Sequence, residues 1–466
     1  MHYATIIRTR APTMPDNPHQ HKPVNTAPWE QAFDRWLTPL EDFIDQQTTS
    51  SILLMACTVS ALVIANSSWG PQYLHFLHLP ATISVGDKQF DLDLLHWINE
   101  ALMSFFFLLV GLELKRELLV GELADVRRAI LPIFAAIGGM AVPAALYWWW
   151  NPEGVSAAGW GIPMATDIAF AVGVLSLLSG RIPQTVAAFL IALAIVDDLG
   201  AVLVIAFFYT EQLNLFALAL AGLLTGVLVI FNLGGIRRVL PYMLVGILLW
   251  CAMLSSGVHA TLAGVILAFT IPIRPKYNAR HFISEVRELS QQMEDSLQDN
   301  PDILHNDTLR AQVIALEQGV ELVQAPAQRL EQNLHVLVAY LVIPLFALAN
   351  AAIPVDIANL GNTIVHPVTT GVMSGLVLGK WLGVTGASWL AIKTGYAAMP
   401  TGLTMRHIHG IGLLAGIGFT MSIFVADLAF TAEPELLLMA KSGILLASVV
   451  SGICGYCWLR FCCSKH

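Results

Sequence analysis

Charge is what this sequence has least of. Asp, Glu, Lys and Arg make up 12% of its 466 residues, about half the share usual in a soluble domain. Hydrophobic residues make up 56%. A large soluble helical core cannot absorb the apolar runs of about 20 residues that recur along the chain, each long enough to cross a hydrocarbon layer of about 30 Å. Cysteine is scarce too, with six residues, of which Cys454, Cys457, Cys462 and Cys463 cluster in ICGYCWLRFCC. They read as small apolar residues at a membrane exit rather than a metal or redox site. No cleavable signal peptide is visible in the polar first 48 residues, so the first apolar run is expected to serve as an uncleaved anchor. The net charge is −9. It says little about partners, and no nucleic acid is expected among them.

What is present is a series of spans. Hydropathy gives twelve, at about 51–69, 93–115, 129–150, 160–178, 184–209, 214–232, 239–255, 257–272, 334–352, 367–392, 407–430 and 437–459. The expected fold is an all-α polytopic membrane protein. Of its 24 Lys and Arg, 21 then fall on one side, Lys88 and Lys441 on the other, and Lys380 within a span. Positive charge marks the cytoplasmic side, so both termini are expected there. The expected organisation is a cytoplasmic tail over 1–48, a twelve-span domain over 49–460 and a short cytoplasmic tail over 461–466.

Three segments outside the spans carry patterns of their own. In WEQAFDRWLTPLEDFI, Trp29, Phe33, Trp36, Leu37, Leu40 and Phe43 share one helical face, which suits an interfacial amphipathic helix or a plain lead-in to the first span. The outer segment TISVGDKQFDL alternates apolar and polar residues around Gly-Asp and predicts a β-hairpin over 82–92. The long 274–330 segment contains two helical patterns, ISEVRELSQQMEDSL and TLRAQVIALEQGVELV, and is expected to be a cytoplasmic helical insertion.

The charges within the spans are the most informative residues. One at the centre of a span costs at least about 2.5–3.5 kcal/mol, so it persists where it is paired, buried in protein or lining a watery path. Asp197 and Asp198 sit near the centre of span five, in ALAIVDDLGA; Asp167 lies in span four and Lys380 in span ten. Asp427 and Glu100 lie nearer span ends. If one carboxylate pairs with Lys380, a negative surplus remains that attracts a cation or holds protons. Span four carries Pro163 and Gly173 around Thr166 and Asp167, and span eleven carries Gly410, Gly412, Gly416 and Gly418. Two interrupted spans in corresponding positions of the two halves point to a secondary transporter built on inverted repeats.

Adjacent helical residues point about 100° apart. Asp197 and Asp198 therefore cannot share one partner; one can turn to Lys380 while the other faces a water-filled funnel. Sodium and lithium seek oxygen, and two carboxylates, the Thr166 hydroxyl and water would supply a shell. A carboxylate there holds a proton or a small cation, not both, and alternating access would make the exchange obligatory. Two other classes stay open on these residues: a proton-coupled transporter of another solute, and an intramembrane aspartyl protease using Asp167 and Asp198. The Gly-x-Gly-Asp pattern of such proteases is missing, and a central lysine has no role in them. A channel is disfavoured because a lysine-paired, titratable site suits exchange better than conduction.

Taken in order, TDIAFAVGVLSLL, ALAIVDDLGA, GVHATLAGV, VLGKWLGV and GIGFTMSIF resemble the NhaA family of sodium/proton antiporters, itself a known example of inverted repeats and broken helices. The resemblance covers about residues 50–460 apart from the insertion. It implies no enzyme activity and no cofactor, with Na+, Li+ and H+ as the transported species. Asp198 is then the principal ion and proton carrier, Asp197 its partner acid, and Lys380 the lysine that pairs with Asp197. Thr166 and Asp167 fall at the crossing of the two broken helices, spans four and eleven. The hairpin over 82–92 implies a homodimer contact. Glu113, Arg116 and Glu117 in GLELKREL, with Glu331 and His335, match a charged cluster at the cytoplasmic mouth associated with pH activation, and His259 matches a histidine linked to pH response. Gln332 departs from the pattern, standing where a family histidine is expected. The resemblance further implies a bacterial inner-membrane location, electrogenic exchange of more protons than sodium, activation at alkaline pH, and a role in pH and sodium homeostasis.

Overall fold

The computed structural model describes residues 47–81, 83–85, 88–90, 92–178, 181–210, 213–275, 279–299, 306–354 and 360–462. Its compact unit begins at Ser50. The expected amphipathic helix over 29–43 and the tail over 463–466 lie outside the described residues.

Among the described residues, eight helices are long and apolar enough to cross a membrane, or up to ten if each of two bent pairs counts as one. They include Leu94–Leu119, Val126–Trp150, Gln184–Phe208, Pro326–Asn350, Pro367–Lys393 and Pro434–Cys462. Several present apolar faces outward. On Leu215–Leu233, Phe216, Leu223 and Ile230 are 82%, 66% and 65% exposed, an arrangement that favours lipid over water. The chain is a multi-pass helical membrane protein.

Two spans differ from their expected form. The first helix, Gln47–Ala65, ends short of Trp69 and turns by 116° into Gly70–Leu77. The seventh keeps its expected bounds to within a residue, as Val239–Leu254, 16 residues, about 24 Å long at 1.5 Å per residue. The eighth is Leu262–Thr270, 9 residues, about 14 Å by the same rise and well short of a bilayer core. Hydropathy counted residues that the chain spends in turns. Gly257 has φ +81°, and the bonds Leu262 N to His259 O, Ala263 N to Ala260 O and Gly264 N to Thr261 O are three-residue turns.

On the segment expected as a hairpin, strands Ile83–Val85 and Lys88–Phe90 pair antiparallel, with Ile83 opposite Phe90 and Val85 opposite Lys88. Residues 82, 86, 87 and 91 lie outside the described set. In the inserted segment, helices Ala279–Asp299 and Asp307–Val323 pack on each other. Asn306 joins them: its Oδ1 accepts from Leu309 N at 3.0 Å, and its Nδ2 donates to Ser296 O at 2.9 Å.

One helix crossing positions the interior. Val126–Trp150 meets Pro367–Lys393 where Gly138 and Gly383 face each other, and a methyl group on either would run into the other's backbone. A methyl on Gly139 would lie 2.9 Å from Val384 Cγ2. Small residues let the helices approach this closely, which brings Lys380, one turn from Gly383, into the core.

Candidate functional site: a crossing of two interrupted helices and its buried charges

Span four is interrupted where the sequence suggested. A 3-10 helix, Val155–Met164, gives way to extended backbone at Ala165 and Asp167 before the α-helix Ile168–Ser176 begins. Span eleven consists of Met405–Leu414 and Phe419–Ala429, bent by 49° at the break. The two breaks touch. Asp167 N donates to Ile417 O at 2.7 Å, Thr166 Oγ1 to Ala415 O at 2.9 Å, and Ser422 Oγ to Ile162 O at 2.8 Å. Backbone groups freed by each interruption thus find partners in the other, as a lipid-surrounded protein requires. Gly418 allows the approach, since an added methyl would lie 3.0 Å from Ala165 O, while one on Gly416 would meet Leu376 O and Ser451 Oγ of neighbouring helices.

Asp167 stands at two helix N-termini at once. Its Oδ1 accepts from Phe170 N at 3.1 Å, as N-cap of Ile168–Ser176. Its Oδ2 accepts from Thr420 N at 2.9 Å and Thr420 Oγ1 at 2.5 Å, in the first turn of Phe419–Ala429. A carboxylate there balances the partial positive charge of both helix ends. Asp167 is 1% exposed.

Helix Gln184–Phe208 passes the crossing unbroken and carries Asp197 and Asp198, each 1% exposed. Lys380 follows a π-helical turn, Gly375–Gly379. Its Nζ donates to Asp197 Oδ2, which also accepts from Thr166 Oγ1 at 2.7 Å. The hydroxyl of Thr166 is therefore shared between Asp197 and Ala415 O. Asp198 is different. Both its oxygens are buried and accept no hydrogen bond among the described residues. The charges that act on it are Asp197, Asp167, Lys380 and Glu113, three acids to one base. Held as ions, these groups leave a surplus of negative charge beside an unpartnered carboxylate.

The charged residues of GLELKREL gather at the far end of Leu94–Leu119. Arg116 bridges two acids, donating to Glu331 Oε1 at 2.6 Å and to Glu117 Oε1 at 3.3 Å. Glu113 lies in the field of Glu331, Arg116 and Glu117, and His335 in that of Arg116. His259 is not brought to this cluster. Its Nε2 meets Tyr209 O at 2.7 Å, and its Nδ1 lies 3.9 Å from Glu100 Oε1.

Sequence reasoning passed over three features. Thr420 gives Asp167 two of its hydrogen bonds. Lys115, 8% exposed, donates to the carbonyls of Ala268, Phe269 and Ile271 at the end of Leu262–Thr270, where a cation suits the helix dipole. Asp427 pairs with Lys441 at 2.8 Å. For that pair a signal existed: two opposite charges near the facing ends of consecutive spans.

A lysine locked to one acid, a second acid left over, and broken helices that satisfy each other inside a multi-pass protein describe a membrane transporter of the secondary type. Comparison with known sequences narrows the class. A sequence model of the family described as Na+/H+ antiporter 1 matches residues 41–459. "Na(+)/H(+) antiporter NhaA 1" of Saccharophagus degradans is 50% identical over 432 residues, covering 93% of both chains. "Na(+)/H(+) antiporter NhaA" of Sulfurimonas denitrificans is 49% identical over 439 residues, covering 93% of this chain and 98% of its own. The chain belongs to the Na+/H+ antiporter 1 family, whose members are transporters and not enzymes.

Proposed function

We propose that this protein exchanges cytoplasmic sodium or lithium for external protons by alternating access, with Asp198 as the group that carries either. The observation that supports it is the contrast within one dipeptide: Asp197 is held by Lys380 and Thr166, whereas both oxygens of Asp198 are buried without a hydrogen-bond partner among the described residues. An ionised carboxylate in such a place costs several kcal/mol unless something cancels its charge. A proton does so, and so does a small hard cation with its remaining oxygens from Asp197, Thr166 and water. The two occupants exclude each other, which is the condition for exchange. Lys380 adds a further titratable group, protonated while paired with Asp197 and released when a cation draws Asp197 away. More than one proton per sodium, and so electrogenic exchange, follows from that reading.

The remaining assignments belong to the same proposal. Twelve crossings would place both termini in the cytoplasm of a bacterial inner membrane, with the tail over 1–48, the transporting domain over 49–460 and the insertion over 274–330 on the cytoplasmic face. The strands within 82–92 would pair two copies into a homodimer. Glu113, Arg116, Glu117, Glu331 and His335, with His259 apart from them, would set activation at alkaline pH, and the work done would be pH and sodium homeostasis.

The test is direct. Inverted membrane vesicles holding a proton gradient are expected to lose it on addition of sodium or lithium but not potassium. Asp198→Asn is expected to abolish the loss while the protein still inserts. Normal exchange by Asp198→Asn, or a gradient indifferent to sodium from neutral to alkaline pH, overturns the reading.

A further inference from the structure

The half-helix Phe419–Ala429 is anchored at both ends. One end is the crossing, where Thr420 bonds Asp167. Toward the other, about 10 Å further along at 1.5 Å per residue, stands Asp427. Its Oδ1 lies 2.8 Å from Lys441 Nζ, and its Oδ2 accepts from Asn99 Nδ2 at 3.3 Å. Asn350 completes the group: its Nδ2 donates to Asn99 Oδ1 at 2.7 Å, and its Oδ1 accepts from Lys441 Nζ at 3.5 Å. Asn350 is 2% exposed, and the side chains of Lys441 and Asp427 are 12% and 15% exposed.

Each partner comes from a different helix. Asn99 lies in the π-helical turn Ile98–Leu102 of Leu94–Leu119. Asn350 ends Pro326–Asn350, which has a π-helical turn of its own at Val338–Val342. Lys441 lies in Pro434–Cys462. The first two helices are the ones that the Arg116–Glu331 ion pair joins at their opposite ends. The Asp427 group therefore ties the far ends of those two helices to the half-helix that reaches the crossing. A helix of 11 residues carries a shift at one end to the other as a nearly rigid body.

We propose that Asp427 and Lys441 are positioning residues for ion exchange: by fixing the outer end of Phe419–Ala429 they set where Thr420 meets Asp167, and so the fit of the cation beside Asp198. This rests on the exchange reading above. Small displacements of a site's supporting shell are costly. Asp427→Asn and Lys441→Met are therefore each expected to raise the sodium concentration for half-maximal exchange about tenfold while leaving the maximal rate within about threefold. The swap of both, Asp427→Lys with Lys441→Asp, is expected to recover most of the half-saturation value. Hydrogen exchange of the amides over 419–429 in purified protein is expected to quicken in the single variants and slow again in the swap.

A merely structural role predicts fewer molecules and a lower maximal rate at unchanged half-saturation. Half-saturation within about twofold of the unsubstituted protein in both single variants, with amide exchange unaltered, overturns the proposal. Should Asp427→Asn fail to accumulate, Lys441→Gln is measured against the same criteria. Should the unsubstituted protein fail to exchange sodium at all, the exchange reading falls, and the amide measurement alone decides whether the pair fixes the half-helix.

Discussion

Among the described residues two Lys–Asp pairs lie within the spans, and their surroundings differ. Lys380 and Asp197 are 1% exposed each, and the acid next in sequence, Asp198, has no hydrogen-bond partner among the described residues. Lys441 and Asp427 are 12% and 15% exposed, and two asparagines share their remaining bonds. The second arrangement balances charge and satisfies polar atoms, so it can hold one geometry. The first leaves a negative charge uncancelled, which under the proposed exchange is where a cation or proton would bind. What separates two similar residue pairs is the neighbour left unsatisfied.

That contrast can be broken by removing each lysine. Lys380→Met leaves Asp197 buried with only Thr166 as donor, a loss of about 3–5 kcal/mol if the acid stays ionised. Lys441→Met leaves Asp427 with Asn99 and partial access to water, and a smaller loss is expected. Thermal unfolding in detergent, compared at one pH, measures both. An equal or larger loss for Lys441→Met would show that exposure does not distinguish the pairs. Lys380→Arg, which keeps the charge, is expected to recover stability ahead of transport.

A smaller effect is expected at Thr420. Its hydroxyl donates to Asp167 Oδ2 at 2.5 Å, and hydrogen bonds to charged groups are worth about 1.5–3 kcal/mol. Thr420→Val conserves shape and removes the donor while the backbone N–H of residue 420 remains. The half-saturating sodium concentration is expected to rise roughly tenfold, with Thr420→Ser close to the unsubstituted protein. If Thr420→Val binds sodium normally, Asp167 does not depend on that hydroxyl for its place at the crossing.

The site was legible in proportion to the cost of its residues in a membrane. Asp167, Asp197, Asp198 and Lys380 stood out because charges are rare at mid-span. Thr420, Asn99 and Asn350 did not, because an uncharged polar residue in an apolar run attracts no notice until its partner is known. The breaks in spans four and eleven were readable from proline and glycine, whereas their crossing was implied only by the family resemblance: Asp167 N to Ile417 O is a bond between residues 250 positions apart. Hydropathy also overstated span eight, since it cannot tell helix from the turns between Gly257 and Leu262. The helix crossing at Gly138 and Gly383 was hidden for the same reason as Thr420, each glycine being ordinary by itself.

A third acid between bases lies just outside the membrane-spanning helices and sharpens the comparison from the wet side. Asp93 caps helix Leu94–Leu119, accepting from His96 N at 2.7 Å. Its carboxylate also meets His78 Nδ1 at 2.9 Å and His96 Nδ1 at 2.6 Å. Burial pushes the Asp93 carboxyl up, but the His96 backbone N–H and the two imidazoles outweigh it and hold the group below its ordinary value. A carboxylate lowered by folding stabilises above the unfolded value of about 3.9 and loses that contribution as the pH falls through its own lower value. Asp93→Ala is expected to cost about 1 kcal/mol, as cap replacements do, and to affect the helix start rather than transport. Hydrogen exchange of the amides over 94–97 reads it: protection in the unsubstituted protein should fall as the pH drops below about 4, relative to other helices, once the intrinsic rate is allowed for. Asp93→Ala should begin less protected and show no such fall. The same pH dependence in both proteins would mean that the charge on Asp93, unlike that on Asp197 or Asp427, holds nothing in place.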